Sequence, residues 1–323
     1  MPLPRRKNWF FELFGVIEPA YGNVRGLFEM TERNGLVSLK SLSNGRSYQA
    51  GAFSTPSLRS LRQKNAALLS TERMVTIKHV VVGDILQHHA EPQYKHATFQ
   101  AASQFNCLEF SHPEALPERG VTIYESDFTQ GPACSIACGP ATVYRDPYVT
   151  IRNGYTHATN KSLARLNADH TPASLEQAME ELKIGVQADT QVVFKDRNTT
   201  LDDPDQIVTQ CFCSALSCGY TYGSLDAWSN VACAVLNASH CIAAVIHVNM
   251  CLKRCACNIS RLLASYECTL WAALANADRH ARADGANKVV LTMIGGGVFR
   301  NRDEWIADAI GRAAAKLRYS GLE

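Results

Sequence analysis

The chain has 323 residues, with 32 Lys and Arg against 30 Asp and Glu, and is 46% apolar and 19% charged. That composition excludes a disordered polar chain, and a formal net charge of +2 leaves no basic footprint for nucleic acid. The length suffices for a sizeable core, as one large domain or two smaller ones.

Arg5-Arg6-Lys7 reads as a solvated basic tail. The apolar Trp9-Phe10-Phe11 that follows is interrupted by Glu12 and Glu18, which argues against a secretory signal. Phe10, Phe11, Leu13, Phe14, Val16 and Ile17 are dense enough for a strand or a buried helix. Leu36–Leu39 and Tyr48–Phe53 read as strands of a hairpin turned across Asn44-Gly45. Thr55-Pro56-Ser57 starts a helix that is expected to run to Leu69. Residues 1–73 thus form an N-terminal extension, a lid or platform without recognisable chemistry.

From Met74 strands and helices alternate, the pattern of an α/β layer fold. Strands are expected at Val75–Val82, Ala97–Ala101, Val121–Glu125, Gln191–Lys195, Ile207–Leu216 and Lys288–Ile294. Helices are expected at Gly131–Tyr144, Ser174–Lys183, Leu225–Leu236, Leu262–Arg282 and Asp303–Arg318. Asn237 to Leu263 is cysteine-rich, lacks acidic residues and has no clean period. It reads as an insertion, or as a translated intron absent from the mature protein. Cys233 to Leu252 is weakly polar, but Asn237, His240, His247 and Asn249 make it too polar for a membrane span. The expectation is an intracellular soluble protein, cytoplasmic or nuclear.

The twelve cysteines are expected to stay reduced. Cys251, Cys255 and Cys257, with His240 and His247 upstream, lack the two-residue spacing of structural zinc, so no metal is expected. No cofactor is expected either.

The run Leu291 to Asn301 reads LTMIGGGVFRN: an apolar strand ends in Gly295-Gly296-Gly297, and a helix follows at Asp303. Consecutive glycines cost backbone entropy, and are used where a Cβ would block a conformation or a close approach. Between a strand and a helix, such a turn can offer N–H groups to a phosphate. No Gly-Lys-Ser/Thr follows Gly297, which excludes a P-loop, and the position near the C-terminus argues against a Rossmann fingerprint.

Earlier, Val75 to Leu86 reads VTIKHVVVGDIL, and Gln100-Ala101-Ala102-Ser103 precedes Asn106. Taken in order, the Gly-Asp-Ile strand end, this amide segment and the Gly-Gly-Gly-Val-Phe loop resemble the macrodomain, an ADP-ribose-binding α/β module. The resemblance spans Met74 to Leu317 and implies a three-layer mixed sheet flanked by helices, residues 74–323 forming the core. Gln100-Ala101-Ala102-Ser103 stands where the family usually shows Asn-Ala-Ala-Asn. The altered glycine-rich loop after that strand has its best match at Asp127 to Ala137.

The resemblance implies that Asp84 and Ile85 meet the adenine, and that Gln100, Ser103 and Asn106 hold the distal ribose. It assigns Gln130 and Gly131 to the ligand as well. Gly295, Gly296, Gly297, Val298, Phe299 and Asn301 would wrap the diphosphate and ribose. An ADP-ribosyl bond breaks through an oxocarbenium-like state, so a carboxylate that protonates the leaving group or activates water would help. Glu109 and Asp127 are the candidates, with Glu125 nearby. The implied partner is ADP-ribose or an ADP-ribosylated macromolecule, without membrane or nucleic acid. Hydrolysis of an ADP-ribosyl linkage is the leading reading. The alternatives are a reader without turnover and a scaffold that has lost its ligand.

Overall fold

The computed structural model describes residues 8–70, 72–104, 106–109, 117–149, 172–215 and 256–323. Strands β1 (Phe28–Arg33), β2 (Leu36–Ser41) and β3 (Ser47–Ser54) form an antiparallel meander, with the Asn44-Gly45 turn placed as its sequence dictates. Gly45 adopts φ +74°, which a side chain would strain. β3 pairs antiparallel with β5 (Gly185–Gln191), so the N-terminal hairpin shares the sheet of the later strands. The remaining strands of this sheet are β8 (Ile207–Cys213), β4 (Thr98–Ala102) and β9 (Val289–Val290). The order is β1-β2-β3-β5-β8-β4-β9, and β4 runs parallel to both β8 and β9. A seven-stranded mixed sheet flanked by helices is the expected fold class.

Helices cover both faces. One face carries α3 (Leu58–Asn65), α7 (Pro172–Glu181), α8 (Ala256–Arg279) and α9 (Asp303–Lys316) over Cys211, Cys213 and Ile184. The other carries α1 (Trp9–Phe14), α4 (Ile85–Ala90), α5 (Gln130–Ala137) and α6 (Gly139–Val143) over Phe99 and Val208. Alternate residues of β8 serve the two layers, as a strand buried on both faces requires. A short helix α2 (Tyr21–Val24) lies between α1 and β1.

Five expected elements differ: the strand expected over Lys288–Ile294 is reduced to Val289–Val290, where it pairs with β4, and four others change more. Val75–Val82 is not a strand: Ile77, Val80 and Val81 are exposed, because the C-terminal tail takes the position beside β9. Val289 N–H donates to Glu323 O at 2.7 Å, and Thr76 N–H to Leu322 O at 2.9 Å. Val121–Glu125 is not a strand either but part of a 3₁₀ turn, Thr122–Ser126. The Glu18 carboxylate accepts the N–H groups of Val121 and Thr122 at 2.9 and 2.8 Å. The helix expected over Gly131–Tyr144 breaks at Cys138, where Gly139-Pro140 starts α6, and a π-helical turn follows at Tyr144–Tyr148. Gln191–Lys195 is divided: β5 ends at Gln191, and β6 (Phe194–Asp196) pairs with β7 (Thr199–Thr200) in a separate ribbon. The expected helix Leu225–Leu236 lies outside the described residues, as does the 237–255 part of the segment read as an insertion; its remainder, from Ala256, opens α8, which starts before the expected Leu262.

One buried ion network ties α3, α8 and α9 together. Glu267, 1% exposed, accepts from Arg62 through both carboxylate oxygens at 2.6 and 2.9 Å and from Lys316 at 2.9 Å. Burial alone would raise its carboxyl, but Arg62 and Lys316 outweigh burial and hold it below the usual range. Glu267→Ala removes the most buried carboxylate from Arg62 and Lys316 but leaves Arg62 paired with Glu176 and Glu180, and is expected to cost about 1.5–3 kcal/mol in urea unfolding at neutral pH. A loss under 1 kcal/mol would contradict this role. Because the folded carboxyl is depressed, the contribution is present above the ordinary carboxylate range and is lost as pH falls through the folded value.

Candidate functional site at the carboxyl edge of the parallel strands

β4, β8 and β9 end on the same edge of the sheet, where ligands of open α/β sheets bind. The register adds two more strand ends. Gly185, the first residue of β5, pairs with Phe212, and Ser54, the last of β3, pairs with Val186. A cavity of ≈ 220 Å³ opens here, bounded by Thr55, Gln104, Cys107, Lys183, Gly185 and Phe212, with Cys213, Ser214 and Ser265 also in its wall. The Ser103–Glu109 loop after β4, the start of α5 and the Gly295–Asn301 loop after β9 surround the same edge.

Glu109 is partly buried, its N–H donating to the Tyr124 hydroxyl at 3.0 Å. Its side chain rests against Gly131 in the first turn of α5, where a Cβ would stand 2.9 Å from Glu109 Cγ and would also strike the Ala102 carbonyl. Burial, and secondarily the Asp127 carboxylate, push the Glu109 carboxyl up to about 8. Asp127 Oδ1 accepts from the Thr129 N–H at 2.8 Å and from the Thr129 hydroxyl at 2.6 Å, fixing the turn into α5. Gln130 bridges to β4: its Oε1 accepts from Ala102 N–H at 2.8 Å, and its Nε2 donates to the Gln100 carbonyl at 2.7 Å.

The amide segment divides by strand alternation. Gln100 turns away toward α8, its Nε2 donating to Thr269 Oγ1 at 2.9 Å and its Oε1 accepting from Thr292 N–H at 3.3 Å. Ser103 N–H donates to the Cys213 carbonyl at 2.9 Å, which locks the ends of β4 and β8 together. The hydroxyl of Ser103 donates to the Gln104 carbonyl at 2.9 Å. Asn106 is 1% exposed; its Oδ1 accepts from Leu108 N–H at 3.1 Å, while its Nδ2 has no partner. A buried amide donor left unmade is costly, and a ligand acceptor would satisfy it.

The three glycines of the C-terminal loop differ in role. Gly295 has φ +74°, and a Cβ there would meet the Asn301 amide and stand 2.6 Å from Ala215 Cβ, so glycine is needed for the chain itself. A Cβ at Gly296 would stand 3.2 Å from Ile306 Cδ1, and one at Gly297 would meet nothing within 4 Å. Asn301 clamps the loop, its N–H and Nδ2 both donating to Gly295 O, at 3.0 and 3.1 Å. Phe299 packs against the core under α8 and α9, and Val298 is exposed. Asp303 and Glu304 fill the first turn of α9 and complement its dipole, so that helix end is less available to an anion than the sequence suggests.

Asp84 caps α4, its Oδ1 accepting from Leu86 N–H at 3.0 Å, and its Oδ2 lies 3.4 Å from Arg197 Nε. Ile85 packs into the core beside it. Asp84→Ala is expected to lower stability by about 1 kcal/mol through loss of the cap. If Asp84 also contacts a ligand, the same variant weakens ADP-ribose binding by about 1–3 kcal/mol; an unchanged dissociation constant in the folded variant restricts Asp84 to capping.

Sequence reasoning missed Arg145, 1% exposed behind the cavity wall. Its signal was a lone arginine in the apolar, small-residue run from Gly131 to Val149. Among the described residues, no three His, Cys, Asp or Glu side chains converge to hold a metal ion, and no helix is long and apolar enough to cross a membrane.

The sheet, its two helical layers and this edge define a three-layer α/β protein with a mostly apolar, partly enclosed cavity. No family model and no curated protein matches the chain. Among solved structures it is similar to the crystal structure of poly(ADP-ribose) glycohydrolase from Thermomonospora curvata. The identity is 14% and the TM-score 0.40, over 90% of this chain and 84% of that one. At that distance the activity of the similar protein says nothing about this one.

Proposed function

We propose that the protein binds ADP-ribose or an ADP-ribosyl group at the carboxyl edge of β4, β8 and β9 and hydrolyses an ADP-ribosyl linkage. The observation that carries the reading is Glu109: it follows Gln104 and Cys107, which line the cavity, by a few residues in the chain, and burial with the Asp127 carboxylate raises its carboxyl to about 8. Such a group is protonated at neutral pH and is matched to donate a proton to a leaving atom. As the glycosidic bond breaks, Glu109 protonates the departing group, and the carboxylate so formed takes the proton of the water that adds to the anomeric carbon. The Asp127 carboxylate opposes the positive charge that develops on the ribose. The Asn106 amide supplies a donor for a ribose hydroxyl or a phosphate oxygen, and the open Cβ side of Gly297 leaves room for a ligand. Incubation with protein carrying labelled ADP-ribose tests the reading: released label supports hydrolysis, and intact label with saturable binding leaves a reader.

A reader without turnover is favoured by one feature. Asp127 Oδ1 already accepts two bonds from Thr129, which commits that oxygen to the turn into α5 instead of to a charge developing on the ribose.

A further inference from the structure

Among the described residues, no carboxylate pairs with the buried Arg145 side chain. Its Nε donates to the Cys107 carbonyl, its Nη1 to Gln187 Oε1 and its Nη2 to Thr142 Oγ1, each at 3.2 Å, and all three acceptors are neutral. The guanidinium stacks on the Phe212 ring, 3.9 Å from its centroid. Cys107 and Phe212 both line the cavity. The neighbouring Asp146 does not neutralise the charge: burial and the carboxylates of Glu18 and Glu118 push its carboxyl up to about 8, and neither of its oxygens has a partner. Burial lowers Arg145 itself only to about 10, so it stays charged at neutral pH. A buried charge without a counter-charge is costly, and an anion bound next to it offsets that cost.

We infer that Arg145 is a positioning and specificity-determining residue: it holds the Cys107 turn of the Ser103–Glu109 loop and gives the cavity a preference for ligands bearing an oxyanion. Cys107 has φ +61°, a conformation that a non-glycine residue keeps only when its surroundings hold it, and the bond from Arg145 to its carbonyl is one such restraint. The charge lies one side chain away from the ligand, in a medium less polarisable than water, so it discriminates by ligand charge and not by ligand shape.

The choice of ADP-ribose as one probe rests on the proposed function; inorganic pyrophosphate does not. Calorimetric titrations of wild type, Arg145→Met and Arg145→Lys with pyrophosphate, ADP-ribose and adenosine separate the two ideas. Arg145→Met is expected to weaken both anions about tenfold or more and to change adenosine less than about twofold. Arg145→Lys, which keeps the charge, is expected to restore most of the anion affinity. If pyrophosphate binds wild type in this charge-dependent way but ADP-ribose does not bind, the proposed function fails and the role of Arg145 stands. Equal losses for adenosine and the anions, or no loss for either anion, overturn it, as does a wild type that binds no anion. If Arg145→Met does not fold, Arg145→Lys decides alone: retained anion affinity supports the inference, and anion affinity lost in a folded protein overturns it.

Discussion

Glu109→Gln is expected to lower turnover of an ADP-ribosylated substrate by about 10²–10⁴-fold, the usual worth of a general acid. ADP-ribose affinity should stay within about twofold, because the lost proton acts only as the bond breaks. In the wild type the rate should fall as pH rises through about 8, where the Glu109 carboxyl gives up its proton. Asp127→Asn removes a carboxylate that raises Glu109, so the alkaline limb should move to lower pH as well as the rate falling. Stability carries the same sign. The folded value lies above the ordinary 4.5, so the protonated form stabilises the fold; that contribution is full below 4.5 and lost as pH rises through about 8. Glu109→Gln should therefore gain stability relative to wild type in mild alkali and not in acid. Wild-type turnover in Glu109→Gln would remove this residue from the chemistry.

The second large effect separates the glycines of the C-terminal loop. Gly297→Val meets open space and should melt like wild type, yet it should abolish ADP-ribose binding if the loop cradles a diphosphate. Adenosine, which lacks the phosphates, should lose much less. Gly295→Ala should fail differently: a positive φ and the contact with Ala215 are expected to cost about 2–4 kcal/mol of stability. Gly296→Val lies between, since Ile306 must give by a few tenths of an ångström. Thermal melts paired with titrations read the two losses apart. A Gly297→Val protein that binds ADP-ribose like wild type would mean that the glycines serve the chain and not a ligand.

Elements with a local signal were legible. The Asn44-Gly45 hairpin, the β-branched and aromatic run of β8 and the amphipathic α9 each state their structure within their own residues. Val75–Val82 carries the same apolar signal, but a strand needs a free neighbour, and the C-terminal tail occupies that place. The turn at Thr122–Ser126 depends on Glu18, a capping acid about a hundred residues away, which no local pattern announces. β1 was missed because only Phe28 of its six residues is buried, so no alternation marks it. For the proposed site, the sequence pointed to Glu109, Asp127 and the glycine loop. It could not tell that strand alternation turns Gln100 toward α8, or that the cavity has a buried cation behind it.

Calorimetric titration of the wild-type protein with ADP-ribose, against ATP and NAD as controls, tests the central claim most directly. The account predicts one saturable site per chain for ADP-ribose, with ATP and NAD markedly weaker. No saturable heat with ADP-ribose, or equal affinity for all three, would contradict it.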